Sequence, residues 1–350
     1  MGSSGQFPEE LSGKRDFDYI TPAGRRLTEY EAVTVYTQWG GHSAGSLQTM
    51  GDFLLRPDGR PVFDPASTGI TVDDWYTYRD PNQMWQRPYY VSQSEAEKSI
   101  ERATELVVST GAAKALDQHW IEHGLVGTYF PFAHYEYGLF RALNMAARES
   151  LSDSVNNVLV FIAADKLRHA QAISIMGLDL ESVYENFDGT AGKRVWLEDA
   201  GWQPLRRLIE EAMTVVDWNE TIVAIMLAIE PMIGEPMRRL VFGTGAAQRR
   251  DLLVPVAAGT ATIDWQRNAK AIKAYIDFLC SAPGGEGNRE ILAGWLGTWQ
   301  AKARPVAEGL FDLIEGALPE PGLAKQAAAV ADEETARVGA DALAGVPSAA

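Results

Sequence analysis

The sequence predicts an all-α protein, a bundle of long helices carried behind an irregular N-terminal strap. Three observations point there. Apolar residues recur at helical spacing from Ser92 onward with no alternating strands between them; the stretch Thr221–Ile233 is apolar nearly all round; and two segments 99 residues apart carry the same Asp-x-x-Arg-x-Ala pattern. Runs of helices without strands close on one another as bundles.

Residues 1–91 form the strap. Proline and glycine punctuate it at Pro22, Gly24, Gly40, Gly41, Pro57, Gly59, Pro61 and Pro65, and only Leu27–Val33 hints at a helical period. So long an irregular stretch is unusual within a lone compact domain, and its aromatic content does not suit a disordered tail. Phe17, Tyr19, Arg25, Arg26, Tyr30, Tyr36 and Trp39 are its candidate partner contacts. A strap lying on a partner and a strap lying across this chain's own helices would both bury aromatics.

The helical domain spans residues 92–318. Ser92–Glu95 reads as a capping box, followed by Ile100, Ala103, Leu106, Val107 and Leu116 at helical spacing, with Gly124 as the stop. A second helix is expected over about 131–148 and a third from Ser152 or Asp153, bearing Val155, Val158, Leu159, Ile162, Leu167 and Ile173. After a linker at Gly189–Lys193, helical segments follow at Trp196–Val215, Glu220–Phe242, Gln248–Cys280 and Glu290–Leu318. A helix apolar all round belongs at the centre of a core, which makes Glu230, inside Thr221–Ile233, conspicuous. Residues 319–350 are Ala-rich and predict a peripheral helix or a loose tail.

Composition narrows the function. The chain has 350 residues and a net charge of −16, which argues against nucleic-acid or anionic-membrane partners, since phosphate binding rests on Lys and Arg. Cys280 is its one cysteine. An intrachain disulfide is therefore excluded, and so are zinc sites built on four cysteines or on two cysteines and two histidines. The longest apolar run, Ile222–Ile229, falls far short of the roughly 20 residues a membrane helix needs. The first ten residues carry no apolar signal-peptide segment. A cytoplasmic location is expected.

The paired motif carries the chemistry. Asp165–Lys166–Leu167–Arg168–His169–Ala170 and Asp264–Trp265–Gln266–Arg267–Asn268–Ala269 each follow a lone glutamate on an earlier apolar helix, Glu136 and Glu230 respectively. This layout matches a carboxylate-bridged di-iron bundle, in which two helices supply one Glu each and two supply Glu-x-x-His. The i, i+3 spacing lets Glu and His reach one metal from one helix face. Here Lys166 stands where the first Glu should be, and Trp265 and Asn268 stand in place of the second pair; no Glu-x-x-His occurs anywhere in the chain. Three scattered ligands, Glu136, His169 and Glu230, do not make an oxygen-activating site. The residues therefore predict a four-helix bundle with a degenerate metal site and no catalytic, cofactor or metal-binding residues of its own. Lys166 is expected to neutralise Glu136, with Asp165 able to join the contact, and Trp265 to fill the volume of the lost metal. Ligand histidines in such sites hand their second N–H to a carboxylate of the other repeat. Asp264 is accordingly expected beside His169, and Asp165 beside Asn268.

At these residues the sequence resembles the small (beta) subunit of the hydroxylase in bacterial soluble di-iron monooxygenases. Asp16–Gln38, with its GRRLTEYEAVT core, is most similar to the propane branch; Asp80–Glu97 resembles the family's lead-in to its first long helix. The resemblance runs from about Phe17 to Leu318. It implies that the bundle is ferritin-like, of the kind in ribonucleotide reductase small subunits. It implies a metal-free subunit supporting a large (alpha) partner that holds the di-iron centre, in an (alpha–beta)2 core with or without a gamma chain. It also implies a reductase that passes electrons from NADH through FAD and a 2Fe–2S cluster, and a coupling protein. Related phenol, toluene, alkene or cyclic-ether systems, and a ferritin-like scaffold without a redox role, are the alternatives. Gly41–His42–Ser43–Ala44–Gly45 fits a serine-hydrolase elbow, but that motif needs a parallel sheet for which this chain has little room.

Overall fold

The computed structural model describes residues 26–35, 59, 64–184, 187–319 and 321–344. Among them there is no strand. The long helices are α1 (Gln86–Thr110), α2 (Phe130–Glu149), α3 (Asp153–Val183), α4 (Ala191–Glu198), α5 (Gln203–Ala212), α6 (218–248), α7 (Val254–Ser281), α8 (Asn288–Ala317) and α9 (Leu323–Arg337). Helices α2, α3, α6 and α7 form the central four, with α2 against α3 and α6 against α7. Helices α8 and α9 cover the outside of α6.

Local chemistry explains most boundaries. Ser152 caps α3 by accepting the Val155 N–H at 3.3 Å, and Asp217 caps α6 through the Asn219 and Glu220 N–H groups. The expected capping box at Ser92 does not form. Helix α1 begins six residues earlier, at Gln86, because Pro88 falls in the first turn, where no helical N–H is required. The Ser92 hydroxyl instead donates to the Tyr89 carbonyl. Gly124 is likewise not a stop. Helix α1 ends at Gly111, which takes the left-handed conformation (φ 70°), and Gly124 lies inside the π-helical turn Trp120–Tyr129 that leads into α2. The expected linker at 189–193 is entered by α4, and the expected single helix from Trp196 is split where the Asp199 carboxylate accepts the Gly201 N–H.

Helix α6 is the axis of the fold. Every residue from Val223 to Gly234 is buried, as its all-round apolar pattern requires. Pro231 would break an ordinary α-helix, and the π-helical hydrogen bonding of Val223–Gly234 accommodates it.

The described part of the strap lies on the chain's own helices. Trp75 packs against Trp218, and the Tyr78 hydroxyl donates to the Ala271 carbonyl while its ring meets Tyr275. Residues 29–35 form a short helical turn against α3. Tyr30, expected at a partner surface, is turned inward instead, and its hydroxyl accepts the Asp80 N–H. Phe17, Tyr19, Arg25, Tyr36, Trp39 and the Gly41–Gly45 segment lie outside the described residues. The tail is a packed helix: α9 buries Leu323, Ala327, Val330 and Glu334. No helix among the described residues is long and apolar enough to cross a membrane.

Candidate functional site

The two lone glutamates do meet. Glu136 from α2 and Glu230 from α6 are at most 1% exposed, and two cations stand between them. Lys166 Nζ on α3 lies 2.5 Å from Glu230 Oε2 and 3.3 Å from Glu136 Oε2. The Arg238 guanidinium reaches Glu136 Oε1 at 2.7 Å, Glu230 Oε2 at 2.5 Å and Glu235 Oε2 at 3.0 Å. Tyr135 donates its hydroxyl to Glu230 Oε1 at 2.7 Å. Gly234 is required here, because a Cβ would fall 2.2 Å from Glu230 Oε1 and 2.8 Å from the Tyr135 hydroxyl.

Around this pair runs a second layer built from the repeated motif, and it is crossed. Arg168 of the first copy pairs with Asp264 of the second at 2.6 Å, and Arg267 of the second pairs with Asp165 of the first. His169 Nε2 meets Asp264 Oδ2 at 3.1 Å, while Asn268 donates its amide to Asp165 Oδ2 at 2.8 Å. Helix α1 closes the layer: Gln93 donates to Asp264 and Tyr89 to Asp165. The Lys166–Glu136, His169–Asp264 and Asn268–Asp165 contacts expected from the sequence are all present. Asp165 itself is held by Arg267, Asn268 and Tyr89 rather than by Lys166.

The electrostatics follow the geometry. Burial pushes Glu136 up, but Lys166 and Arg238 outweigh it and hold the carboxyl below its usual range. Glu230 is lowered by the same two cations against the same burial. Burial raises Glu235, with Arg238 offsetting it only in part. Burial and the neighbouring Asp264 raise Asp165, whereas His169, Arg267 and Arg168 overcome burial to lower Asp264.

Trp265 is buried, but its role differs from the one expected. The space and charge between Glu136 and Glu230 belong to Lys166 and Arg238, and the Trp265 indole N–H turns to the tail helix, donating to Glu334 Oε2 at 2.6 Å. Glu334 also binds Arg337 at 2.8 Å and Arg239 at 3.0 Å.

These residues do not fit a pair of metal ions. The carboxylates that would bridge the metals are already taken by an ammonium and a guanidinium, and a metal cation beside them would face two fixed positive charges. Among the described residues, no group of three or more His, Cys, Asp or Glu side chains is placed to hold a metal ion. What the buried network can do is hold five helices, α1, α2, α3, α6 and α7, in register through paired charges and hydrogen bonds.

Sequence reasoning missed Arg238, Glu235 and Glu334. The signal for the first two was legible: Glu235 and Arg238 sit at i, i+3 on the most apolar helix, where an ion pair facing outward would have no solvent to meet. Glu334 had no such signal, since nothing local in an Ala-rich tail marks one glutamate as buried.

Comparison with known proteins is consistent with this architecture. The family model described as methane/phenol/alkene hydroxylase matches residues 56–283. The small subunit of the propane 2-monooxygenase hydroxylase component of Rhodococcus jostii (strain RHA1) is 29% identical over 310 residues, covering 87% of this chain and 82% of its own. The beta chain of methane monooxygenase component A of Methylococcus capsulatus (strain Bath) is 29% identical over 296 residues, covering 83% and 76%. Among solved structures, xenon-pressurized phenol hydroxylase from Pseudomonas sp. OX1 superposes with a TM-score of 0.73 at 18% identity, covering 90% of this chain and 91% of that one.

Proposed function

The chain belongs to the methane, phenol and alkene hydroxylase family and is the small subunit of a monooxygenase hydroxylase component; within that frame we propose that it is a non-catalytic scaffold of the propane-oxidising type. In this reading it assembles with a large subunit that carries the di-iron centre, where oxygen is activated and the substrate hydroxylated. Electrons come from NADH through a reductase with FAD and a 2Fe–2S cluster, and a coupling protein tunes the reaction. The observation that carries the reading is the replacement of metal by protein cations: Lys166 and Arg238 neutralise the glutamates that metals would otherwise bridge. Similarity to propane small subunits favours short alkanes as substrates of the assembly.

The test is co-expression with a large hydroxylase subunit of the same family, separation of the chains, and iron analysis of each. Iron is expected to travel with the larger chain at about two per copy, and hydroxylation to require both. Stoichiometric iron bound to this chain alone would overturn the proposal.

A further inference from the structure

A small cavity of about 20 Å³ lies beside the buried network, lined by Glu136, Arg168, His169, Arg238, Tyr129 and Ala172 among others. Three polar atoms on its lining residues have no hydrogen-bond partner within the protein: Glu136 Oε2, His169 Nδ1 and Arg168 Nε. Glu136 is 1% and His169 6% exposed; Glu136 Oε2 keeps its ion pair with Lys166 Nζ at 3.3 Å, and a buried polar atom without a hydrogen bond is costly to leave so. His169 Nδ1 and Glu136 Oε2 are 3.7 Å apart, too far for a direct hydrogen bond. The ring cannot turn to shorten that distance, because Nε2 is held by Asp264 at 3.1 Å.

We propose that one water molecule is built into this cavity, bridging His169 Nδ1 and Glu136 Oε2. A water about 2.8 Å from each atom closes the 3.7 Å gap with an acute angle of about 83° at its oxygen. The cavity exceeds the roughly 10–15 Å³ that a single water needs, and a buried water is stable with two to four polar partners. The other occupant to weigh is a cation, since Glu136 and His169 are metal-ligating residue types. The surroundings choose against it: Lys166 Nζ lies 3.3 Å from the same Glu136 oxygen, and the Arg238 and Arg168 side chains line the cavity. Three positive side chains repel a metal ion but are indifferent to a neutral molecule that can donate to the carboxylate. The apolar part of the lining, such as Ala172, Ala257 and Ala258, leaves room without offering further ligands. This inference stands on the cavity and its three atoms, independently of the assembly proposed above.

The experiment is a crystal structure of the intact hydroxylase complex at a resolution that orders internal waters, with anomalous data collected at the iron and zinc edges. The expected result is one spherical density peak within hydrogen-bonding distance of His169 Nδ1 and Glu136 Oε2, with no anomalous signal. A cavity without density, in a map that shows other internal waters, would overturn the proposal, and so would an anomalous peak at that position. Ala172→Val, whose added methyls enter the cavity, is expected to abolish the peak while leaving the Lys166–Glu230 and Arg238–Glu230 contacts in place. Persistence of the peak with the methyls seated in the cavity would refute the assignment.

Discussion

The two halves of the repeated motif answer the same problem differently. In the outer layer they are still equivalent: each Arg reaches across to the other copy's Asp, and each copy's last polar residue, His169 or Asn268, hydrogen-bonds to the opposite Asp. In the inner layer the equivalence is lost. The first half places Lys166 directly between the glutamates, whereas the second half places Trp265, whose indole turns away to Glu334. The positive charge that the second half does not provide comes from Arg238, on the same helix as Glu230. Interactions that need only crossed pairing survive as a symmetric frame. The neutralisation of two buried carboxylates is met asymmetrically, because any cation that reaches them will serve.

The asymmetry makes Arg238 the most vulnerable point of the design. Arg238→Met would leave Glu136, Glu230 and Glu235 in an apolar core with Lys166 as the inner-layer cation left to them. Breaking a buried pair in this way costs about 3–5 kcal/mol, and with three carboxylates affected the upper end is expected, read as a lowered midpoint in urea unfolding of the assembled hydroxylase. Lys166→Met should cost less, about 3 kcal/mol, since Arg238 continues to hold both glutamates. Equal losses from the two variants would mean that the inner layer is not organised around Arg238.

Next in size is the link from the second half to the tail. Trp265→Phe keeps an aromatic ring and removes the N–H that Glu334 accepts, while Arg239 and Arg337 still hold that carboxylate. A loss of about 1–3 kcal/mol is expected, with faster amide exchange along α9 as the local readout. Unchanged exchange in α9 would detach Trp265 from the tail.

Acid separates the carboxylates by the sign of their shifts. Glu136 and Glu230 sit below their ordinary values in the folded state, so the stability they confer is complete above about pH 4.3 and drains away as the pH falls through their folded values. Glu235 and Asp165 are raised, so their contribution runs the other way and is lost as the pH rises through their folded values. Glu235→Gln should therefore be nearly neutral at pH 7, within about 0.5 kcal/mol or slightly stabilising, while Glu230→Gln is destabilising and flattens the acid limb of the stability curve. Matching acid limbs for the two variants would contradict the assigned directions.

Much of this arrangement is open to reading before any coordinates. Helix α6 announces itself through the apolar run Ile222–Ile229 just before Glu230, and the His169–Asp264 and Asn268–Asp165 contacts follow from the two matching motif copies, whereas the crossed Arg168–Asp264 and Arg267–Asp165 pairs came only with the structure. The start of α1 is misplaced because a good capping box at Ser92 competes with a proline in the first turn of the true helix, and the stop is misplaced because a π-helical turn absorbs Gly124. Trp265 is legible as a buried replacement, but the metal volume it was expected to fill belongs to Lys166 and Arg238. Its partner, Glu334, lies 69 residues away in a tail whose composition gives no sign of it.

By itself the sequence determined the helical class, the buried axis and the loss of both Glu-x-x-His pairs, because each depends on spacings of three or four residues along one helix. Lys166 was legible as the neutraliser of Glu136, but only the tertiary structure decided that Arg238 shares that role. The Arg238–Glu136 pair joins positions 102 residues apart, and Coulomb attraction in a low-dielectric core acts on distance in space, to which separation along the chain is no guide.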